Sequence, residues 1–457
     1  MLMMAINAVI FVYMYMVVLR GGFTKLNKKK VKGQQVNVKF SDVIGIDEAK
    51  EEAWEVVQLV KDHTKIKEIG GKIVKGILMI GPPGCGKTYL AKAIATEAKL
   101  PFLSMAASEF NEVFVGVGAS RIRQLFKQAR MFAYGYGGCV IFIDELDVIG
   151  QNRTFNLYGG AEKNATQNQL LAEMDGMASV KDNVIIIGAT NAPEESLDTA
   201  LLRPGRFDRK VYITSPGLEG REKLFDFYLG KVKCDDSIDY KVLAKKAVGK
   251  SPAQIEAIVK EAALIATRNR KARVSYKEIS EAIERIELGV KVRRKMADKE
   301  RIMTAYHEAG HLITGYILHP INDVFKASII PRKSSLGVVH YQPSEEFICD
   351  DKNKVLADIK CSLAGYAAER IQFNVTTNGV SGDFKAAMQR AHSMVWQLGM
   401  GKSGLVGDFT VIPQQNLSEE IKKRLNEESN QILTECLQEV DNLLRSRKEV
   451  LDRFANE

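Results

Sequence analysis

The chain has 457 residues, 46% of them hydrophobic and 26% charged, with a formal net charge of +9. That balance excludes a low-complexity or disordered chain and allows two or three domains. The cysteines at 85, 139, 234, 349, 361 and 436 form no C-x-x-C pair, so neither a disulfide framework nor a cysteine zinc site is suggested.

The first predicted element is a membrane helix over residues 1–19. Met1 to Leu19 is apolar except for Asn7, and a helix of that length spans roughly 28 Å, about one bilayer core. A cleaved signal peptide needs basic residues before the apolar run. Here the basic residues Arg20, Lys25, Lys28, Lys29, Lys30, Lys32 and Lys39 follow it and precede the first acid, Asp42. Positive charge on that side predicts a single uncleaved span with everything downstream on the cytoplasmic side. A bacterial inner membrane is the first expectation and an organellar membrane the alternative. Residues 20–37 read as a basic linker beside anionic lipid. Without it the chain is nearly neutral, so nucleic acid is not an expected partner: that reading wants a basic folded face.

Residues 38–215 alternate apolar strands with helical patterns, which predicts a parallel sheet flanked by helices. Strand Gly76-Ile-Leu-Met-Ile80 runs into Gly81-Pro82-Pro83-Gly84-Cys85-Gly86-Lys87-Thr88, and a helix is expected from Tyr89 to Ala98. Glycines let backbone N–H groups close around ATP phosphates at a helix N-terminus. Lys87 would reach the β- and γ-phosphates, and Thr88 would hold Mg²⁺. Strand Val140–Ile143 ends in Asp144 and Glu145, expected as the Mg²⁺ partner and the base that polarises the attacking water. A third strand from Val184 leads to Asn191, placed to position that water. Arg203 and Arg206, in a Pro-Gly turn, are candidate fingers for a neighbour's γ-phosphate.

With these residues in view, the stretch from about Val38 to Val290 resembles the AAA ATPases. The resemblance implies a homohexameric ring with ATP at subunit interfaces. It also implies a substrate-gripping pore loop at Phe114, Val115 and Gly116, with Gly159-Gly160 as a second pore-facing loop. Asp175-Gly-Met177 stands where the family carries an Asp-Gly-Phe motif that senses the neighbouring subunit. Residues 216–290, with helical runs such as Ala253 to Asn269, look like the family's helical lid.

Residues 291–457 are expected to form a mainly α-helical zinc peptidase domain. Lys299 to Leu318 has helical spacing and carries His307-Glu308-Ala-Gly-His311. Histidines four apart share a helix face, so both can meet one tetrahedral metal. Glu308 between them is placed to take a proton from the attacking water. A third protein ligand is required, and two acids compete for it: Glu369, on an expected helix, and Asp383. Ser418 to Phe454 reads as one long amphipathic helix.

The combination resembles the FtsH family of membrane-bound, ATP-dependent zinc metalloproteases from about Phe40 to Ala455. The match includes Thr304-Ala-Tyr-His-Glu-Ala-Gly-His311, Ser328-Ile-Ile-Pro-Arg332, Leu336-Gly337 and the segment around Asp383. In that family the aspartate matching Asp383 is the third ligand and the acid matching Glu369 supports from behind. The resemblance implies one Zn²⁺ per subunit, and membrane and misfolded proteins as substrates. They would be threaded through the ATP-driven pore and cleaved. Bacterial members typically carry two spans around an external domain; the one apolar run here points to a shortened or one-span form. The rival reading is an ATP-driven unfoldase with a silent peptidase domain, against which the intact His-Glu-x-x-His speaks.

Overall fold

The computed structural model describes residues 37–61, 75–110, 116–151, 160–177, 183–289, 296–331, 337–343, 347 and 349–457. The apolar run 1–19, the linker to residue 36, and Phe114, Val115 and Gly159 lie outside them. Among the described residues no helix is long and apolar enough to cross a membrane. The described residues form two compact units, those up to 224 with 249–255, and 225–248 with those from 256 on. The stretch expected as a lid, 216–290, contributes to both.

The first unit opens with helix α1 (Asp47–Lys61), followed by β1 (Gly76–Ile80) and α2 (Lys87–Glu97). Next come β2 (Phe102–Ala106), α3 (Val117–Tyr136), β3 (Cys139–Asp144), the short α4 (Asp147–Gly150) and α5 (Gly160–Gly176). Strands β4 (Val184–Thr190) and β5 (Arg209–Tyr212) complete a sheet of order β2-β3-β4-β1-β5, with every pairing parallel. Apolar runs without polar alternation suit strands covered on both faces. Alternate residues serve opposite cores, as the period of two requires. Ile77, Met79, Val140, Phe142, Ile185 and Ile187 face one cluster, and Leu78, Ile80, Ile141, Ile143 and Ile186 the other. The parallel register sets Ile80 beside Thr190 and Ala106 beside Asp144. The strand ends expected to carry chemistry therefore gather at one edge of the sheet. Gly160, expected in a pore-facing loop, opens helix α5 instead.

The second unit begins with helical elements. Helix α6 (Leu218–Leu229) passes from the first unit into it, α7 (Tyr240–Lys246) follows, and α8 (Pro252–Arg268) also starts in the first unit. Helix α9 (Tyr276–Leu288) starts with a capping box, in which Glu278 accepts from the Ser275 backbone N–H at 3.1 Å and from Lys271 at 2.8 Å. Beyond it lie α10 (Asp298–Leu318), β6 (Asn322–Ser328), β7 (Val338–Pro343), α11 (Lys352–Phe373) and α12 (Ser381–Trp396). Helices α13 (Glu419–Ser446) and α14 (Lys448–Asn456) close the chain. Two features differ from expectation. The antiparallel β6–β7 pair stands in a domain expected from helical patterning. The terminal helix is two helices, because Arg447 takes φ −116° and ψ 28° and breaks the run.

Helix α11 packs on α10, α12 and α13. Its closest approach to α10 depends on two glycines. A Cβ at Gly310 would lie 2.6 Å from the Ala364 carbonyl oxygen, and one at Gly365 would lie 2.4 Å from the His307 ring. A larger residue at Gly310 would press on the α11 backbone, and one at Gly365 would displace the His307 ring.

Candidate active sites

The phosphate loop of the first unit connects β1 to α2. Gly84 and Gly86 have φ of +77° and +93°, a region open to glycine at little cost. The buried Lys87 donates from Nζ to the carbonyls of Gly81 at 2.7 Å and Pro82 at 2.9 Å, and to Asn191 Oδ1 at 2.5 Å. Burial pulls the Lys87 ammonium down from its usual range, with Cys85, Asp144 and Asp147 opposing that pull. Thr88 Oγ1 donates to Asp144 Oδ2 at 3.1 Å. Lys87 and Asn191, 104 positions apart, thus meet at the sheet edge. Glu145 is left-handed at φ +52°, a strained conformation for a side-chain-bearing residue, and its N–H donates to Asp144 Oδ1 at 3.0 Å. Cys85 is buried beneath the loop; Pro82, Pro83 and Tyr89 are exposed.

The two arginines differ in their surroundings. Arg203 is exposed. Arg206 grips Asp175 of its own chain with two bonds, Nε to Oδ1 at 2.9 Å and Nη2 to Oδ2 at 2.8 Å, and donates from Nη1 to the Ala200 carbonyl. Such a fork is geometrically specific. It joins a candidate finger to the Asp175-Gly-Met177 segment, whose Met177 is fully buried in the unit's core. Gly116, the described member of the expected pore loop, caps α3 at φ +85°.

In the second unit the two histidines project from α10 toward α11 and α12. Their Nε2 atoms lie 3.1 Å apart, and Asp383 Oδ2 approaches them at 3.2 and 3.5 Å. Ligand atoms of His307, His311 and Asp383 all fall within 4.8 Å of one another. The opposite ring nitrogens are engaged elsewhere: His307 Nδ1 with Glu369 Oε1 at 2.8 Å, and His311 Nδ1 with the Cys361 carbonyl at 2.8 Å. In the neutral rings, acceptors at both Nδ1 positions favour the Nδ1–H tautomer, which turns the Nε2 lone pairs inward. Glu369 is itself held by the Thr377 N–H at 2.6 Å and hydroxyl at 3.1 Å.

The electrostatics ask for a cation. Burial would lower the His307 pKa, but hydrogen bonds to Asp383 and Glu369 outweigh it and raise the imidazole to about 9. Burial would raise Asp383, yet the two imidazoles hold it well below the carboxylate range. Carboxylates around two inward-facing imidazoles are a donor set for a dication such as Zn²⁺. Glu308 is buried beside this triad, and burial pushes its carboxyl up, with the two histidines opposing. Gly337, just before β7, lies so close that a Cβ there would sit 2.6 Å from the Glu308 carboxylate.

Several participants were not singled out from sequence: the Cys361 carbonyl, Gly365 and Thr377. A backbone carbonyl carries no residue signal; Gly365 acts through the packing of α11 on α10, and Thr377 through its bonds to Glu369 from the turn after α11. Tyr341 is another; its hydroxyl donates to the His311 carbonyl at 2.8 Å through the notch left by Gly315.

Comparison with known proteins agrees with both halves. Residues 77–215 match the ATPase family associated with various cellular activities (AAA), and residues 294–457 match peptidase family M41. The chain is 40% identical over 450 residues to the ATP-dependent zinc metalloprotease FtsH of Borreliella burgdorferi (strain ZS7), covering 95% of this chain and 69% of that protein. It is 41% identical over 440 residues to the protein of the same name from Neorickettsia risticii (strain Illinois), covering 95% and 68%. A third such protein, from Veillonella parvula, is 41% identical over 449 residues, covering 95% and 69%.

Proposed function

The chain belongs to the FtsH family of ATP-dependent zinc metalloproteases, and from that premise we propose that it hydrolyses ATP in its first unit to drive peptide-bond cleavage in its second. The observation that carries the reading is the convergence of His307, His311 and Asp383 with the buried Glu308 alongside.

Under this proposal His307, His311 and Asp383 hold Zn²⁺, and Glu369 orients His307 from behind. The bound metal would supply Lewis acidity at the scissile carbonyl and make water a nucleophile at neutral pH. Glu308 would accept a proton from the attacking water and return it to the leaving amine, a role helped by a carboxyl raised by burial. In the first unit, backbone N–H groups of Gly81 to Thr88 cradle the phosphates and Lys87 pairs with them. Thr88 and Asp144 hold Mg²⁺, and Glu145 and Asn191 orient the attacking water. The bonds between Lys87 and Asn191 and between Thr88 and Asp144 support these roles.

The proposal extends to assembly and location. A homohexamer would set Arg203 and Arg206 against a neighbour's nucleotide. Phe114, Val115 and Gly116 would line its pore, and membrane or misfolded proteins would be the substrates. Residues 1–19 would anchor it, with both units on the cytoplasmic side. Detergent-free fractionation tests the anchor: recovery of the full chain in the soluble fraction would refute it.

The central test measures casein degradation with ATP, with ADP and with a chelator. ATP alone should support cleavage. Cleavage that survives the chelator refutes the zinc reading, and ATP hydrolysis without any cleavage leaves only an unfoldase.

A further inference from the structure

The break at Arg447 has a consequence for the metal centre. It turns α14 back onto α10, so that fully buried Leu451 joins one core with Ala309, Ile313 and Ala364. Beside that core the Tyr306 hydroxyl donates to Asp452 Oδ1 at 2.8 Å. Tyr306 is only 6% exposed and stands immediately before His307. Its ring meets Phe373 edge-on at 5.3 Å between centroids. Lys448 lies over the same ring at 5.0 Å and bonds Asp452 at 2.5 Å. A second tie, from Arg370 to Asp441 on α13, flanks Glu369 in the same way.

We propose that Asp452 is a positioning residue for the metal centre, acting through Tyr306 on His307; the inference rests on the zinc reading above. Consecutive helix residues project about 100° apart, so Tyr306 faces α14 while His307 faces the metal ligands. Both ride on the same helix, so a rotation about its axis moves both. At about 6 Å from that axis, a 10° rotation carries an imidazole nitrogen about 1 Å. Metal–ligand distances tolerate about 0.2 Å. Glu369 orients the His307 ring within its plane, but the bond to Asp452 sets the azimuth of the helix that carries it. The last helix of the chain thereby helps to hold a ligand 145 positions upstream of Asp452 (452 − 307).

The test uses the full chain and reads zinc affinity by competition with a chromogenic chelator, together with kcat and KM for casein. ATP hydrolysis and melting temperature serve as folding controls. Asp452→Ala and Tyr306→Phe should each weaken zinc binding about 10-fold, the lower end for partners behind a ligand. They should lower kcat while leaving KM in place. Asp452→Asn keeps an acceptor for the tyrosine and should stay within about 2-fold of wild type. The double variant should be no worse than Asp452→Ala, because one interaction is lost once. If Asp452→Ala fails to fold, Tyr306→Phe removes a single oxygen from the same pair and carries the test. Folded variants that bind zinc as tightly as wild type overturn the proposal, whatever their melting temperature. A wild type that binds no stoichiometric zinc overturns the metal site itself, and the inference with it.

Discussion

Gly365→Ala sets two effects of opposite sign against each other. By intrinsic propensity, alanine inside α11 should stabilise the helix by up to about 1 kcal/mol. The structure argues the other way. The new Cβ would lie 2.4 Å from His307 Cε1 and 2.6 Å from both ring nitrogens, whereas ordinary contact starts at 3.4 Å. The ring must retreat by about 1.0 Å (3.4 − 2.4), and it is tied at Nδ1 to Glu369. That displacement can stretch the 2.8 Å bond to Glu369 toward 3.8 Å, beyond hydrogen-bond range. It also exceeds the tolerance of a metal site. Overpacking costs about 1–3 kcal/mol and cancels or outweighs the propensity gain. Zinc affinity should fall about 10- to 100-fold, equivalent to roughly 1.4–2.8 kcal/mol. Chelator competition measures the affinity, with ATP hydrolysis as the control that the first unit is intact. Zinc affinity within about 2-fold of wild type, with full caseinolysis, would show that the α10–α11 spacing adjusts freely and would refute the packing argument.

Glu308→Gln should keep zinc and ATP hydrolysis while proteolysis drops by about 10²-fold or more; residual cleavage above a tenth of wild type would exclude it as the base. Asp383→Asn should release zinc more completely than Glu369→Gln, because Asp383 meets the inward nitrogens and Glu369 the outward one; the reverse order of zinc stoichiometry exchanges their roles. Arg206→Ala should cut ATP hydrolysis about 10³-fold if the arginine acts across subunits. Mixing that variant with Lys87→Ala subunits should restore part of the activity, and no recovery in verified mixed rings would favour action within one chain. For acid stability, the Glu278 carboxyl is lowered to about 2: burial would raise it, but Lys271 and Ser275 outweigh burial. A depressed carboxylate stabilises the fold above its ordinary pKa of about 4.5 and loses that contribution as pH falls toward 2. Glu278→Gln should therefore narrow the gap in urea resistance between pH 6 and pH 3; an unchanged gap would remove Glu278 as a source of acid sensitivity.

Local chemistry was legible wherever a short spacing sets the geometry. Histidines at 307 and 311 share a face in any helix. A glycine loop between an apolar strand and a helix has few ways to fold, so Gly81 to Thr88 could be assigned to phosphate. Apolar runs ending in Asp144-Glu145 and before Asn191 likewise read as strands of a parallel sheet. What required the tertiary structure depends on the depth and angle of packing between distant segments. Glu369 and Asp383 are both carboxylates on expected or real helices, and residue type does not separate them. They differ in which imidazole nitrogen each meets: α11 packs on α10 closely enough at Gly310 and Gly365 to set Glu369 on His307 Nδ1, while Asp383 reaches both Nε2 atoms from α12. The grip of Arg206 on Asp175, the short β6–β7 pair and the turn at Arg447 that brings Asp452 to Tyr306 are decisions of the same kind. A hydrophobic period records which face of a helix is buried, but it does not record which partner covers that face.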